Sequence, residues 1–236
     1  AAGIIIGVVT KTGVGLRLAS GLIDLAGGML LPAMFFTMIT AIVLGMGVPT
    51  TANYVITSTI AAPALVQMGV PILAAHMFVF YFGIIADVTP PVALAAYAGA
   101  GISGGNALRT GVHASKLAIA AFIIPYIFVL SPMILMVDAT PLGLTLATLS
   151  ALAGMVAISS ALCGFLADHC RLYERILLII AGLHAFVTTH IYEKILYEHL
   201  SFGGIVGTWQ YQLDLALIFA ACMSCAVFFE RLRMRK

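Results

Sequence analysis

The chain has 236 residues, 62% of them hydrophobic and 8% charged, with a formal net charge of +2. Soluble domains carry roughly 25% charged residues, so this composition and a mean hydropathy of +1.14 belong in a bilayer and exclude an ordinary soluble fold. The basic residues form no aromatic-interleaved patch, which excludes nucleic acid as a partner.

Residue 1 is not methionine, and Ala1 to Thr10 is apolar with no basic stretch ahead of it. The segment therefore reads as part of a longer chain rather than as a signal peptide. Residues 1 to 28 carry Lys11, Arg17 and Asp24 and several glycines, a pattern that suits the end of a membrane helix followed by an amphipathic interfacial piece.

Residues 29 to 68 are apolar except where Gly45-Met46-Gly47-Val48-Pro49-Thr50-Thr51-Ala52-Asn53 interrupts them. Some ~40 helical residues would reach roughly 60 Å, about twice the hydrocarbon thickness. A re-entrant hairpin with its tip at this break fits that length best, and two ordinary crossings are the alternative. Broken helix at membrane depth survives only where it is buried in protein or lines a polar cavity, so the break is a candidate binding site. Thr50 and Thr51 suit the start of the second arm, where a hydroxyl can cap orphan N–H groups.

Residues 72 to 102 fit a single crossing with an unwound middle at Ala86-Asp87-Val88-Thr89-Pro90-Pro91. Pro91 lacks an N–H, and Pro90 disfavours helical geometry at Thr89. Asp87 is the only acid in this span and reads as a site residue or as the cap of a half-helix.

Residues 103 to 116, with Asn106, Arg109, His113 and Lys116, read as a polar connection. Apolar segments follow at 117 to 137, 142 to 166, 174 to 191 and 210 to 229, the third being short for a crossing. His184 and His190 do not share a helix face and form no metal pair. Cys163 and Cys170 flank a helix end, and Cys222 and Cys225 lie on one helix face. With no second ligand pair at metal spacing, they read as small buried hydrophobes rather than a zinc set. Basic residues at 109 and 116, at 171 and 175, and in the tail Arg231 to Lys236 fall on alternate connections, which puts the C-terminus in the cytoplasm.

These residues resemble a known family. Gly-Met-Gly-Val-Pro-Thr-Thr-Ala-Asn-Tyr from Gly45, Ala-Pro-Ala-Leu-Val from Ala62, Ala-Ala-His-Met-Phe-Val-Phe-Tyr-Phe from Ala74 and Thr-Pro-Pro-Val-Ala-Leu-Ala-Ala-Tyr-Ala from Thr89 look like the large permease subunit of tripartite ATP-independent periplasmic (TRAP) transporters. The similarity runs over residues 1 to 137 and is greatest to the C-terminal inverted repeat of a fused permease of the TAXI branch. It implies an all-α, polytopic integral membrane protein, one half of an elevator-type transporter, with a re-entrant hairpin at 29 to 68, a discontinuous helix at 72 to 102 and a helix at 117 to 137. Residues 138 to 236 look like a C-terminal extension of about three transmembrane helices.

The resemblance further implies sodium-driven import of a small organic carboxylate. A periplasmic TAXI-type binding protein would deliver it, and a small TRAP membrane subunit, separate or fused upstream, would assist in the inner membrane. No cofactor beyond the coupling ion is expected. Carried onto this chain, sodium would meet the backbone oxygens of Gly45, Gly47 and Ala86 and the hydroxyls of Thr50 and Thr89. Thr51, Asn53 and Asp87 would face substrate or support the ion, and Pro49, Pro90 and Pro91 would hold the breaks open. Unwound carbonyls and threonine hydroxyls are hard oxygen ligands, and half-helix N-termini present positive dipole ends to a carboxylate.

Three alternatives stay open: proton coupling through Asp87, a structural or assembly subunit, and a membrane enzyme. The scattered histidines and the absence of a His-Glu-x-x-His or Gly-x-Ser-x-Gly motif weigh against the last.

Overall fold

The computed structural model describes residues 2–185 apart from 138, 140 and 167. The expected segment at 210 to 229, the end of the one at 174 to 191, His190, Cys222, Cys225 and the basic tail lie outside the described residues. The described residues form helices and no strand, apart from one isolated bridge between Phe165 and His169. The chain divides into two compact units, Ala1–Val129 and Leu130–Lys236, a division that falls inside the segment expected as one helix at 117 to 137.

The first unit opens with α1 (Ala2–Thr12) and α2 (Val14–Leu25), joined at Gly13, whose φ of +67° favours glycine. α2 is amphipathic, as the sequence suggests: Gly15, Ala19 and Leu22 recur at helical spacing on its buried face. Ala19 and Leu22 pack with Ala64, and Ile23 and Phe36 close over that cluster.

The interrupted stretch at 29 to 68 becomes α3 (Leu30–Gly45), α4 (Thr50–Ile60) and α5 (Ala62–Gln67). The first break is where the sequence places it. The second, at Ala61, follows from Pro63, which has no N–H to give the Thr59 carbonyl four residues back. A Cβ at Gly15 would lie 2.7 Å from that Thr59 oxygen, so a glycine in α2 lets the two backbones approach where the helix is interrupted.

α6 (Ile72–Ile85) is the centre of this unit. Ala74, Ala75, Phe78, Val79 and Phe82 are wholly buried, because α3, α4 and α5 all pack against it. Its apolar residues therefore run all round the helix rather than along one stripe. Phe78, Phe82 and Tyr126 form edge-to-face ring contacts, with centroids 4.8 to 5.9 Å apart.

α3 is apolar on both sides. Ala33, Met34, Thr37, Ala41 and Gly45 face inward, while Leu31, Phe35, Ile39 and Val43, four residues apart, form an exposed stripe. That is the surface of a helix whose outer face meets lipid or another apolar partner.

α7 (Leu94–Ser103) follows the second break, and α8 (Ala107–Leu117) occupies most of the expected polar connection at 103 to 116. The helix forms there because Asn106 caps it, its Oδ1 accepting the Arg109 N–H at 3.0 Å. α9 (Ile119–Leu130) is bent by 42° from α8. The segment expected to continue to 137 stops at Leu130, and a 3₁₀ turn, Pro132–Leu135, follows, since Pro132 disfavours helical geometry at Ser131, which lies outside the helical region at a φ of −137°.

In the second unit α10 (Pro141–Cys163) is the one described helix that is by itself long and apolar enough to cross a membrane. Gly164 turns the chain at a φ of +73°, and Arg175 donates to the Ala161 and Leu162 carbonyls at 2.5 and 3.2 Å. Those are orphan acceptors at a helix C-terminus, where a cation is favoured. Residues 172–185 are helical, and the Glu174 carboxylate accepts the Arg171 N–H at 2.5 Å. Ala157, Ala161 and Leu178 form the core between these two helices. A Cβ at Gly182 would lie 2.5 Å from Ile158 Cγ1 and 2.9 Å from the Gly154 carbonyl, the close small-residue crossing typical of helices in lipid. Neither Cys163 nor Cys170 forms a disulfide.

Candidate functional site

Two breaks in helix carry the candidate site. At the first, α3 ends at Gly45, Met46 N–H bonds to the Val43 carbonyl at 3.4 Å, and Gly47 takes a φ of +72°. Pro49 stands at the N-cap of α4. The sequence suggests that the hydroxyls of Thr50 and Thr51 cap this helix. They do not: α4 has no side-chain cap, and both threonines are exposed. The reason is positional, since both lie inside the helix rather than before it, where a cap must stand.

At the second break α6 stops at Ile85 and α7 begins at Leu94. Ala86 is fully buried, and Asp87, Thr89 and Pro90 are half-buried. The loop is tied from several sides. Asp87 and Val88 N–H bond back to Ile84 and Ile85, and the Asp87 carbonyl accepts from Ala95 N–H at 3.0 Å. The Thr89 hydroxyl donates to the Ile85 carbonyl at 2.8 Å, and Tyr97 donates to the Pro91 carbonyl at 2.7 Å. Ser115 of α8 donates to the Val88 carbonyl at 3.1 Å. Gly111 lets α8 approach the loop closely, since a Cβ there would lie 3.1 Å from the Pro90 ring. Ala93 sits at a φ of +38°, unusual for a residue with a side chain, in this constrained loop.

Of the residues singled out from sequence, Gly45 and Asn53 are brought into direct contact. A Cβ on Gly45 would lie 2.7 Å from Asn53 Nδ2 and 2.6 Å from the Gly83 carbonyl. Asn53 is 1% exposed, and its Nδ2 donates to that same Gly83 carbonyl at 2.7 Å. Its Oδ1 is buried with no hydrogen-bond partner. Gly47, Pro49, Thr50 and Thr51 lie along the first break, and Ala86, Asp87, Thr89, Pro90 and Pro91 along the second, with Gly83 one helical turn before it.

Sequence reasoning missed Gly83, Ser115, Tyr97 and Gly111. Gly83 carries a weak signal, a lone glycine in an apolar helix just before a Pro-Pro break. The other three act through contacts that no local pattern announces.

The chemistry on offer is that of uncharged oxygen. The Gly45 and Ala86 carbonyls each accept one long turn bond, from Val48 at 3.4 Å and Thr89 at 3.3 Å, and keep a second lone pair. The Thr89 hydroxyl, having donated its proton, presents its own lone pairs. The Asp87 side chain makes no hydrogen bond or ion pair among the described residues. No group of three or more His, Cys, Asp or Glu able to hold a metal occurs among the described residues.

Compared with protein-family models, residues 1–142 match the tripartite ATP-independent periplasmic transporter, DctM component. The match takes in both breaks and covers more than half of the 236 residues. Neither the curated proteins nor the solved structures return a match. The chain therefore belongs to the DctM component family of tripartite ATP-independent periplasmic transporters.

Proposed function

We propose that this chain is the membrane permease of a sodium-driven secondary transporter that imports a small organic carboxylate. Family membership makes it an integral membrane component of a TRAP transporter, which works with a periplasmic binding protein and a small membrane subunit. A TAXI-type binding protein, the inner-membrane location and elevator movement of a re-entrant hairpin complete the proposal.

The observation that carries it is the meeting of the two helix breaks. Gly45 and Asn53 at the first pack on Gly83, one turn before the second. Two interrupted helices joined through Gly83, each with spare carbonyl or hydroxyl oxygens at its break, suit a hard cation of low charge, which needs oxygen ligands but no dedicated carboxylate cage. Gly45, Gly47, Thr50, Ala86 and Thr89 are the residues that would hold it. Thr51 would support the ion or face the substrate, Asn53, being buried, would support the ion, and the N-terminus of α4 would offer its dipole to the carboxylate. Pro49, Pro90 and Pro91 keep backbone out of helix at both places.

The test is uptake by the complete transporter in proteoliposomes with its binding protein. Uptake is expected to rise with an inward sodium gradient, and uptake indifferent to that gradient would overturn the coupling. A second reading, with Asp87 as the coupling residue for a proton, is favoured by the place of this one acid, partly buried at the second break. Its check is Asp87→Asn: a pH profile of uptake that stays unchanged removes the proton reading and leaves sodium.

A further inference from the structure

We propose that Asn53, together with the glycines at 45 and 83, is a positioning lock that ties the first helix break to the second. The inference rests on the cation-site reading above and deepens it by naming what sets the spacing between the two halves of the site.

At the end of α6 a carbonyl loses its helical partner. In a continuous helix the Gly83 carbonyl would accept the N–H of Asp87, four residues on. Here the helix unwinds, and Asp87 N–H turns instead to the Ile84 carbonyl at 3.1 Å. Gly83 is left with an orphan acceptor of the kind found at every helix C-terminus. Asn53 Nδ2, from α4, fills it at 2.7 Å. The side chain that caps the second break thus belongs to the first, three residues after Thr50 opens α4.

The glycines make this reach possible. A Cβ on Gly45 would meet the Gly83 carbonyl, Asn53 Nδ2 and the Gly83 α-carbon at 2.6, 2.7 and 3.1 Å. A Cβ on Gly83 would meet Asn53 Oδ1, Nδ2 and Cγ at 2.7, 3.0 and 3.1 Å. The Oδ1, which has no N–H or O–H partner, therefore lies on the side of Gly83 where an α-hydrogen points and can meet it only in a weak C–H···O contact. Three elements, α3, α4 and α6, interlock at one amide, and any added methyl group must push two of them apart.

The geometry gives an asymmetric test. The nearest neighbours of a methyl at 83 are all atoms of Asn53, so truncating Asn53 makes room for it. The nearest neighbours of a methyl at 45 include Gly83 backbone, which truncating Asn53 leaves in place. In the complete transporter with its native cysteines replaced by serine, spin labels on Val48→Cys and Val88→Cys would report the distance between the breaks. Sodium-dependent uptake would give the half-saturating sodium concentration and the maximal rate.

Asn53→Ala and Gly83→Ala are each expected to lengthen or broaden the label distance. Each should also raise half-saturating sodium about tenfold, the factor that corresponds to one lost buried hydrogen bond, with little change in maximal rate. Gly83→Ala combined with Asn53→Ala should be no worse than Asn53→Ala alone, whereas Gly45→Ala should worsen it further. Where Gly83→Ala does not accumulate, Asn53→Asp removes the donor at nearly constant size and should move the same two readouts.

Additive effects of the 53 and 83 substitutions, an unchanged label distance in folded variants, or a fall in maximal rate alone would overturn the lock. Should wild-type uptake ignore sodium, the sodium coupling fails, while the label distances across the single and double variants still decide the lock.

Discussion

Glycines 45 and 47 stand two residues apart at the same break and do different work. Gly47 has open space around its α-carbon but a φ of +72°, so its requirement is purely conformational. Gly47→Ala should cost about 1–2 kcal/mol, the penalty for left-handed backbone in a residue with a Cβ. Gly45 has ordinary helical backbone, but its Cβ would collide with the Gly83 carbonyl, which cannot swing away as a side chain can. Gly45→Ala should therefore lower the thermal unfolding temperature in detergent by more than Gly47→Ala does, and the reverse order would contradict this packing. Both glycines can be picked out from the sequence, because Gly-x-Gly-x-Pro inside an apolar run needs a reason. Gly83 cannot, because its importance comes from an asparagine 30 residues earlier.

The helices show where chain chemistry decides their ends and where polarity alone misleads. Pro49, Pro63, Pro90 and Pro132 each fall at a boundary or break, where the missing N–H costs no helical bond, while Pro125 lies inside α9. The stretch at 103 to 116 reads as a connection because of its polarity. It is the amphipathic helix α8, and the signal that polarity hides is Asn106 followed three residues later by the N–H it caps. Asn106→Ala is expected to destabilise α8 by about 1 kcal/mol, visible as faster amide exchange in its first turn. α8 in turn steadies the second break through Ser115. Ser115→Ala should cost about 1 kcal/mol and raise amide exchange at Ala93 and Ala95, whose N–H groups bond within the break; unchanged protection there would show that α8 does not brace it.

For the molecule as a whole, every oxygen donor proposed for the cation lies in the unit Ala1–Val129. Truncation after residue 137 should therefore retain sodium-dependent uptake in proteoliposomes, even if assembly with the small membrane subunit weakens. Sodium dependence lost with the protein still folded would move part of the site into the second unit. The all-α class, the place of the two main breaks and membership of a transporter family are legible in the residues alone. Those properties follow from local causes: apolar runs without strand signals, prolines without N–H groups, and motifs in a set order. Which groups meet is settled by the folded chain. Asn53 finding the orphan carbonyl of Gly83, Gly15 lying against Thr59, and Ser115 holding Val88 all depend on how helices pack, and packing is set by shape across elements far apart in the chain.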